Sequence, residues 1–149
     1  MSLLITIDSL HRFHHYAIQF LPNEIFALLV GAHFDAGDCI TNYVHPLILD
    51  ASPMHVKADW DDVFHKAERY YTVGFVHTHP GRHSSVGQSN ADINFHDYMA
   101  TRFWNHFHRK AYFMIYAPNS GIFALYDGNT PFYDYIVINK QAADSDPLK

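Results

Sequence analysis

The chain has 149 residues, of which 48% are hydrophobic and 17% are charged, and its formal net charge at pH 7 is −5. This length and apolar fraction predict one domain with a well-formed core and exclude a disordered chain. The negative charge argues against nucleic acid as a partner, and no apolar run approaches the roughly 18 residues that span a membrane. The single cysteine, Cys39, excludes an intrachain disulfide and predicts a reducing, cytoplasmic environment.

Hydrophobic periodicity and turn residues predict alternating strands and helices. In the first half of the chain we expect a strand over residues 3–7, a helix from Asp8 or Ser9 that ends at Pro22, and strands over 25–30 and 39–49 joined by a turn at 31–38. A helix over 58–71 and a strand over 72–76 follow. The remaining elements are a helix over about 89–102 and strands over 111–116, 122–126 and 132–138. These elements predict one domain over residues 1–138, followed by a polar tail over 139–149. The fold class is mixed α+β, or α/β, with a β-sheet flanked by helices.

Two short motifs carry the chemistry of this sequence. The run HTHP begins at His77, directly after an apolar strand, and the run SNAD begins at Ser89. His77, His79 and Asp92 offer three protein ligands, which leave the fourth position of a tetrahedral zinc ion to water. This donor set is typical of a catalytic zinc site, because a structural zinc site would need several cysteines.

The same motifs resemble the signature of the JAMM metalloproteases, which have the MPN (Mov34/JAB1) fold. That signature has a glutamate early in the chain, then HxHP with Ser or Thr between the histidines, then SxxD at the start of a helix. Here Glu24 lies in the run PNEIFALLVG, which is similar to the family's PxE and the apolar strand after it, and GFV precedes His77. The similarity extends over most of residues 3–127 and implies an MPN/JAMM-like, cytidine-deaminase-like fold.

The spacing of the second motif departs from that of the family. Ser89 lies ten positions after His79, whereas most members have eight, so the loop has two extra residues. At the family's spacing the Ser and Asp positions would fall on Gly87 and Asn90, which cannot perform the same chemistry. We therefore assign Ser89 and Asp92, because a loop tolerates insertion better than a metal site tolerates the loss of its carboxylate.

The resemblance implies a role for each of these residues. His77, His79 and Asp92 would bind Zn²⁺, which lowers the pKa of a bound water to about 7. Glu24 would act as the general base that accepts the proton of this water, and the Ser89 hydroxyl would help to stabilise the oxyanion.

Simpler interpretations exist for several of the same residues. Ser89 and Asp92 also match a capping box, which many helices show without a metal, although an aspartate in the first turn of a helix can serve both purposes. His83 lies near the motif and is expected to be a solvated loop residue. The histidines of the predicted helices are expected to titrate at the surface: His14, His15, His96 and His106.

The function that this pattern favours is a zinc-dependent hydrolase. By resemblance, it would be a JAMM-type isopeptidase that cleaves a peptide or isopeptide bond at the C-terminus of ubiquitin, a ubiquitin-like protein or a sulfur-carrier protein. The alternative is an inactive MPN-type scaffold that acts by binding other proteins, although every ligand type is present. A zinc base deaminase would need a PCxxC motif, which a chain with one cysteine cannot provide.

Overall fold

The computed structural model describes residues 2–81 and 85–139. Its helices are α1 (Ile7–Gln19), α2 (Trp60–Arg69) and α3 (Asn90–Phe107). Its strands are β1 (Leu3–Thr6), β2 (Phe26–Phe34), β3 (Gly37–Val44), β4 (Ile48–Ala51), β5 (Val56–Ala58), β6 (Thr72–Thr78), β7 (Tyr112–Ala117), β8 (Ile122–Asp127), β9 (Thr130–Phe132) and β10 (Tyr135–Ile138). The mixed α+β class predicted from the sequence is confirmed.

Eight of the strands in the described part of the chain form one mixed sheet, in the order β10-β1-β3-β2-β6-β7-β8-β9. The pairs β1–β10, β1–β3 and β6–β7 are parallel, and the other neighbours are antiparallel. Strands β4 and β5 form a separate antiparallel hairpin. The sheet thus places β6, which carries the histidine motif, between β2 and β7.

Helices pack on both faces of the sheet. Helix α1 contributes Phe13 to the core on one face, while α2 and α3 contribute Val63 and Met99 to the core on the other. Consecutive residues of a strand point to opposite faces, so Phe113 of β7 packs with Val63 and Met99, whereas its neighbour Met114 packs with Phe13. A strand covered on both sides is buried at every position, as β6 and β7 show, and most of its residues are therefore apolar.

Strand β6 is fixed closely against its neighbours. All seven of its residues are buried. A Cβ atom at Gly74 would lie only 2.1 Å from the carbonyl oxygen of Tyr112 on β7, so this position has no room for any other residue. The close approach fixes β6 against β7 and therefore holds His77 at a defined place at the C-terminal end of the strand.

Two predicted strands are divided in the structure. The strand expected over residues 39–49 ends at Val44, because Pro46 has no N–H to donate, and the chain continues into the β4–β5 hairpin, which the sequence analysis missed. The strand expected over residues 132–138 is split at Tyr133 and Asp134. Its first part pairs with β8 and its second part with β1, at the opposite edge of the sheet.

The helix boundaries also differ from the prediction. Helix α1 begins at Ile7 and not at Asp8 or Ser9, because the hydroxyl of Thr6 accepts a hydrogen bond from the Ser9 N–H and caps the helix. Helix α3 extends to Phe107, and His108 ends it in the left-handed conformation. No helix in the described ranges is long and apolar enough to cross a membrane. Residues 140–149 of the predicted tail lie outside the described residues.

Candidate metal centre

The end of β6 brings Glu24 to the histidine pair. Phe26 of β2 pairs with His77 of β6 in antiparallel register. Just before β2, Ile25 donates its N–H to the Thr78 hydroxyl at 2.9 Å, and Thr78 donates its own N–H to the carbonyl of Ile25 at 3.1 Å. The threonine between the histidines therefore fixes the segment that carries Glu24, and this explains physically why a hydroxyl residue suits this position.

Helix α3 supplies Asp92 to the same place. The Ser89 hydroxyl accepts the Asp92 N–H at 3.1 Å, and an Asp92 carboxylate oxygen accepts the Ser89 N–H at 2.9 Å, which together form a capping box. The carboxylate also reaches both histidines. The same Asp92 side chain thus forms the capping box and reaches the two candidate metal-binding histidines. Asn90, the position given by the family's spacing, is exposed on the first turn of α3.

Three ligand atoms converge at the centre of this cluster. The Nε2 atoms of His77 and His79 lie 3.3 Å apart, and the Asp92 carboxylate lies 2.9 Å from the first and 3.1 Å from the second. Ligands bound to one tetrahedral zinc ion at their usual bond lengths are about 3.4 Å apart. Outward shifts of a few tenths of an ångström would therefore make room for the ion.

The tautomer of His79 favours a cation between these atoms. Its Nδ1 lies 2.8 Å from the carbonyl oxygen of Ser85, so Nδ1 carries a hydrogen and donates it. In the neutral ring Nε2 is then an acceptor, and it faces another acceptor, the carboxylate of Asp92. A proton or a metal ion must separate them. The contact to Ser85 also orients the ring, as the outer partners of metal-binding histidines commonly do.

Glu24 provides a second carboxylate beside the pair. Its carboxylate and the ring nitrogens of His77 and His79 all lie within 4.8 Å of one another, so these three residues could hold a metal ion. Asp92 lies closer to both histidines than this limit. This direct contact with both histidines favours Asp92 as the ligand and leaves Glu24 free to contact a water molecule.

The electrostatics of the cluster differ between its two carboxylates. Burial raises the pKa of Glu24, and the neighbouring imidazoles of His77 and His79 only partly oppose this effect. Burial also disfavours the ionised form of Asp92, but hydrogen bonds from both histidines outweigh it and hold the pKa of Asp92 well below its usual range. The hydrogen bond to Asp92 raises the pKa of His79. The ionised form is thus favoured for Asp92 by its hydrogen bonds, whereas burial favours the protonated form of Glu24.

The cluster lies at the wall of a cleft of about 550 Å³. Glu24, His77, His79, Ser89 and Asp92 all line this cleft. The β4–β5 turn also lines the cleft, and it is tethered to the cluster because the N–H of Glu24 donates to the Ser52 carbonyl at 2.8 Å. All five residues predicted from the sequence are thus brought to one cavity.

Comparison with known proteins identifies the architecture. No family model matches the chain, and no curated protein matches it in sequence. A JAB1/MPN domain protein from Archaeoglobus fulgidus aligns with a TM-score of 0.57 at 19% identity, over 91% of this chain and 98% of that one. The protein has the JAB1/MPN fold. This confirms the fold that the sequence motifs predict.

Two further solved structures are similar to this chain. A protein from Desulfitobacterium hafniense aligns with a TM-score of 0.64 at 17% identity, over 93% of this chain and 94% of that one. A structure described as JAMM, a metalloprotease-like zinc site in the proteasome and signalosome, aligns with a TM-score of 0.57 at 18% identity, over 93% of this chain and 100% of that one.

The MPN fold also buries a histidine that the sequence analysis placed at the surface. His96 is fully buried, and its ring stacks on Phe113 with centroids 4.5 Å apart. Its Nδ1 donates to the side-chain carbonyl of Gln88 at 2.6 Å, and the Gln88 amide donates to the backbone of Asn129 at 3.0 Å. The expectation of a surface residue is wrong for His96, because α3 lies with this face against the sheet.

The contacts of His96 support the extended loop before α3. Together with the hydrogen bond from the Tyr126 hydroxyl to the Val86 carbonyl, Gln88 anchors the segment that carries Ser85 and Ser89. The spacing of Asp92 and His96, four residues apart on one helix, was the available signal for this role. His14 is half-buried against the Tyr116 hydroxyl, whereas His15 and His106 are exposed as expected. His83 lies outside the described residues.

We expect His96 to make the stability of the metal-free protein depend on pH. Burial lowers the pKa of His96 to about 4, so the folded state binds its proton more weakly than the unfolded chain does. The contribution of neutral His96 to the free energy of unfolding is therefore fully present above the unfolded pKa of about 6.5. It is lost as the pH falls toward 4, by on the order of 3 kcal/mol. Urea unfolding at pH 7 and pH 4.5, in the presence of a chelator, measures this loss.

The control for this effect is a pair of variants. His96→Gln keeps a donor for Gln88 but removes the titration, so its stability should fall less between the two pH values than that of the wild type. His65→Gln removes an exposed histidine of α2 and should retain the wild-type loss. An equal loss in the His96→Gln variant would contradict the assignment.

Proposed function

We propose that the protein is a zinc-dependent hydrolase of peptide or isopeptide bonds, with the C-terminus of a ubiquitin-like or sulfur-carrier protein, or of ubiquitin, as its substrate. The observation that carries the proposal is the convergence of His77, His79 and Asp92, with Glu24 beside them, in one cleft of a JAB1/MPN fold. The substrate rests on the resemblance of the sequence motifs to the JAMM family.

Each residue has a defined task in the proposed reaction. His77, His79 and Asp92 would hold the zinc ion, which when bound acts as a Lewis acid toward water and the substrate carbonyl. The Glu24 carboxylate accepts a proton from the attacking water and delivers it to the leaving amine, so the amide C–N bond is replaced by a carboxylate and a free amine. The raised pKa of Glu24 suits it to both transfers.

Ser89 is placed to stabilise the oxyanion that develops on the substrate carbonyl. Its oxygen accepts the N–H of Asp92, which leaves its own hydrogen free to donate. The side chain is exposed and lines the cleft, so a substrate can reach it. A donor of this kind typically contributes about 10²- to 10³-fold in rate.

Zinc content and chelator-sensitive cleavage test the proposal together. Protein purified without a chelator should carry about one zinc ion per chain by elemental analysis, because the cluster provides one tetrahedral site. It should release a reporter fused to the C-terminal glycine of a ubiquitin-like protein, and a chelator should abolish the release. Zinc binding without cleavage of any ubiquitin-like, ubiquitin or sulfur-carrier fusion would favour the scaffold alternative.

A further inference from the structure

The cleft contains an aromatic subsite that the proposed zinc chemistry does not use. Phe26, Trp60 and Phe95 form a triangle, with ring centroids 5.7 Å apart for the first pair, 5.6 Å for the second pair and 5.8 Å between Phe26 and Phe95. Met54 on the β4–β5 turn lines the same cleft, together with Val56 and Ala58. We call Phe26, Met54, Trp60 and Phe95 the aromatic subsite.

The aromatic subsite adjoins the metal cluster directly. Phe95 follows Asp92 by three positions on α3, so both side chains lie on the same face of the helix. The ring of Phe95 meets that of His77 edge-on, with centroids 6.5 Å apart. Since consecutive Cα atoms are about 3.8 Å apart, a substrate bond held at the histidines places the side chain of a residue flanking that bond beside Phe95.

Exposure and charge indicate what the subsite binds. Trp60 and Phe95 are only partly buried, and Met54 is 87% exposed, so the chain presents apolar surface to water at this point. Such surface favours an apolar ligand, and a flexible methionine can pack over one. None of the four residues is charged, so a charged substrate side chain would lose its hydration without a partner.

We propose that the aromatic subsite selects substrates with a large apolar side chain, such as phenylalanine, directly beside the scissile bond. This inference rests on the proposed hydrolase function and specifies its substrate. Transfer of a phenylalanine side chain into the subsite should raise kcat/KM about 10- to 100-fold over glycine. A residue on either side of the bond lies within one Cα–Cα step of it, so both sides are tested.

Cleavage of matched peptides tests the selection. In one pair of fluorogenic peptides, phenylalanine or glycine follows the scissile glycine; in the other pair, phenylalanine or glycine precedes the scissile bond. One pair should show the preference for phenylalanine. Trp60→Ala should reduce the ratio of kcat/KM between phenylalanine and glycine to less than about threefold, since the indole is one of the three rings of the triangle. Trp104→Ala is the matched control, because Trp104 is 55% exposed on α3 and does not line the cleft. Equal kcat/KM for phenylalanine and glycine in both pairs would overturn the inference.

A second variant covers the case in which Trp60→Ala fails to fold. Ala91 is exposed on the first turn of α3 and lines the cleft, so Ala91→Leu adds apolar volume there without opening the core. It should lower kcat/KM for the phenylalanine peptide and change that for the glycine peptide little. An equal change for both peptides would count against the subsite.

A binding experiment separates this inference from the proposed function. The chain has two tryptophans, so Trp104→Phe leaves Trp60 as the only tryptophan emitter. Chelator-treated Trp104→Phe protein is titrated with N-acetyl-phenylalanine amide or N-acetyl-glycine amide, and only the first should change the Trp60 emission saturably. Binding without cleavage of any peptide would support the subsite and contradict the hydrolase. Cleavage without binding or preference would support the hydrolase and overturn the subsite.

Discussion

Glu24→Gln should lower turnover by about 10²- to 10⁴-fold, while the fold and the zinc content remain those of the wild type. Glutamine has nearly the same size and shape as glutamate but cannot accept a proton from water at neutral pH. The Asp92 carboxylate contacts both histidines at 2.9 and 3.1 Å and provides the anionic ligand, so the charge of Glu24 is not needed to hold the ion. Steady-state cleavage of the ubiquitin-like fusion and elemental analysis of the same preparation measure the two effects.

A matched control for this substitution is Glu68→Gln. Glu68 is an exposed residue of α2 that contacts His106 and lies outside the cleft, so its loss of charge should leave turnover unchanged. If Glu24→Gln and the wild type cleave at the same rate, Glu24 is not the base. If Glu24→Gln loses zinc as well as activity, Glu24 is a ligand, and the division of tasks between the two carboxylates is wrong.

Asp92→Asn should weaken zinc binding by more than about 100-fold, the upper range for the loss of an outer partner of a metal ligand. The amide retains the shape of the carboxylate and can still accept the Ser89 N–H, so the start of α3 should persist. The amide oxygen of asparagine, however, lacks the negative charge that the Asp92 carboxylate presents to both histidines. Competition between the protein and a zinc-binding indicator dye measures the change in affinity.

Two controls isolate the metal role of Asp92 from its role in the helix cap. Asn90→Ala changes the residue that the family's spacing would select, and it should keep the wild-type affinity for zinc. Ser89→Ala removes the cap acceptor and should lower stability by about 1 kcal/mol without loss of zinc. Zinc loss in Asn90→Ala together with its retention in Asp92→Asn would mean that the assignment of the motif is out of register.

The sequence determined the fold class and the residues of the candidate site. A largely apolar strand is recognisable without a structure, and so is the HTHP run at its end. The histidine pair and Asp92 could be selected as candidate ligands from their types and spacing, whereas Glu24 and Ser89 were selected through the resemblance to the JAMM signature. The likeness to the JAMM family, which rested on the same residues, correctly predicted the JAB1/MPN fold.

Contacts between distant segments were decided only by the tertiary structure. The tether between Thr78 and Ile25 spans 53 positions, and the anchor from Tyr126 to Val86 spans 40, so neither leaves a periodic signal in the sequence. The β4–β5 hairpin has strands of four and three residues, too short for a pattern, yet it forms one wall of the cleft. The sequence predicted that residues 135–138 continue the strand that begins at residue 132. In the structure they form β10, which pairs with the free edge of β1.

His96 illustrates why burial could not be inferred locally. Histidine is common on both surfaces and interiors, and α3 carries polar residues around much of its circumference, so its sequence does not define a buried face. The face is set by Phe113 and by the loop through Gln88, which come from other parts of the chain. Thus the sequence by itself determined the fold class and the candidate site residues, because ligand types and strand patterns are local. The tertiary structure decided which surfaces surround them, because packing depends on residues that are distant in the chain.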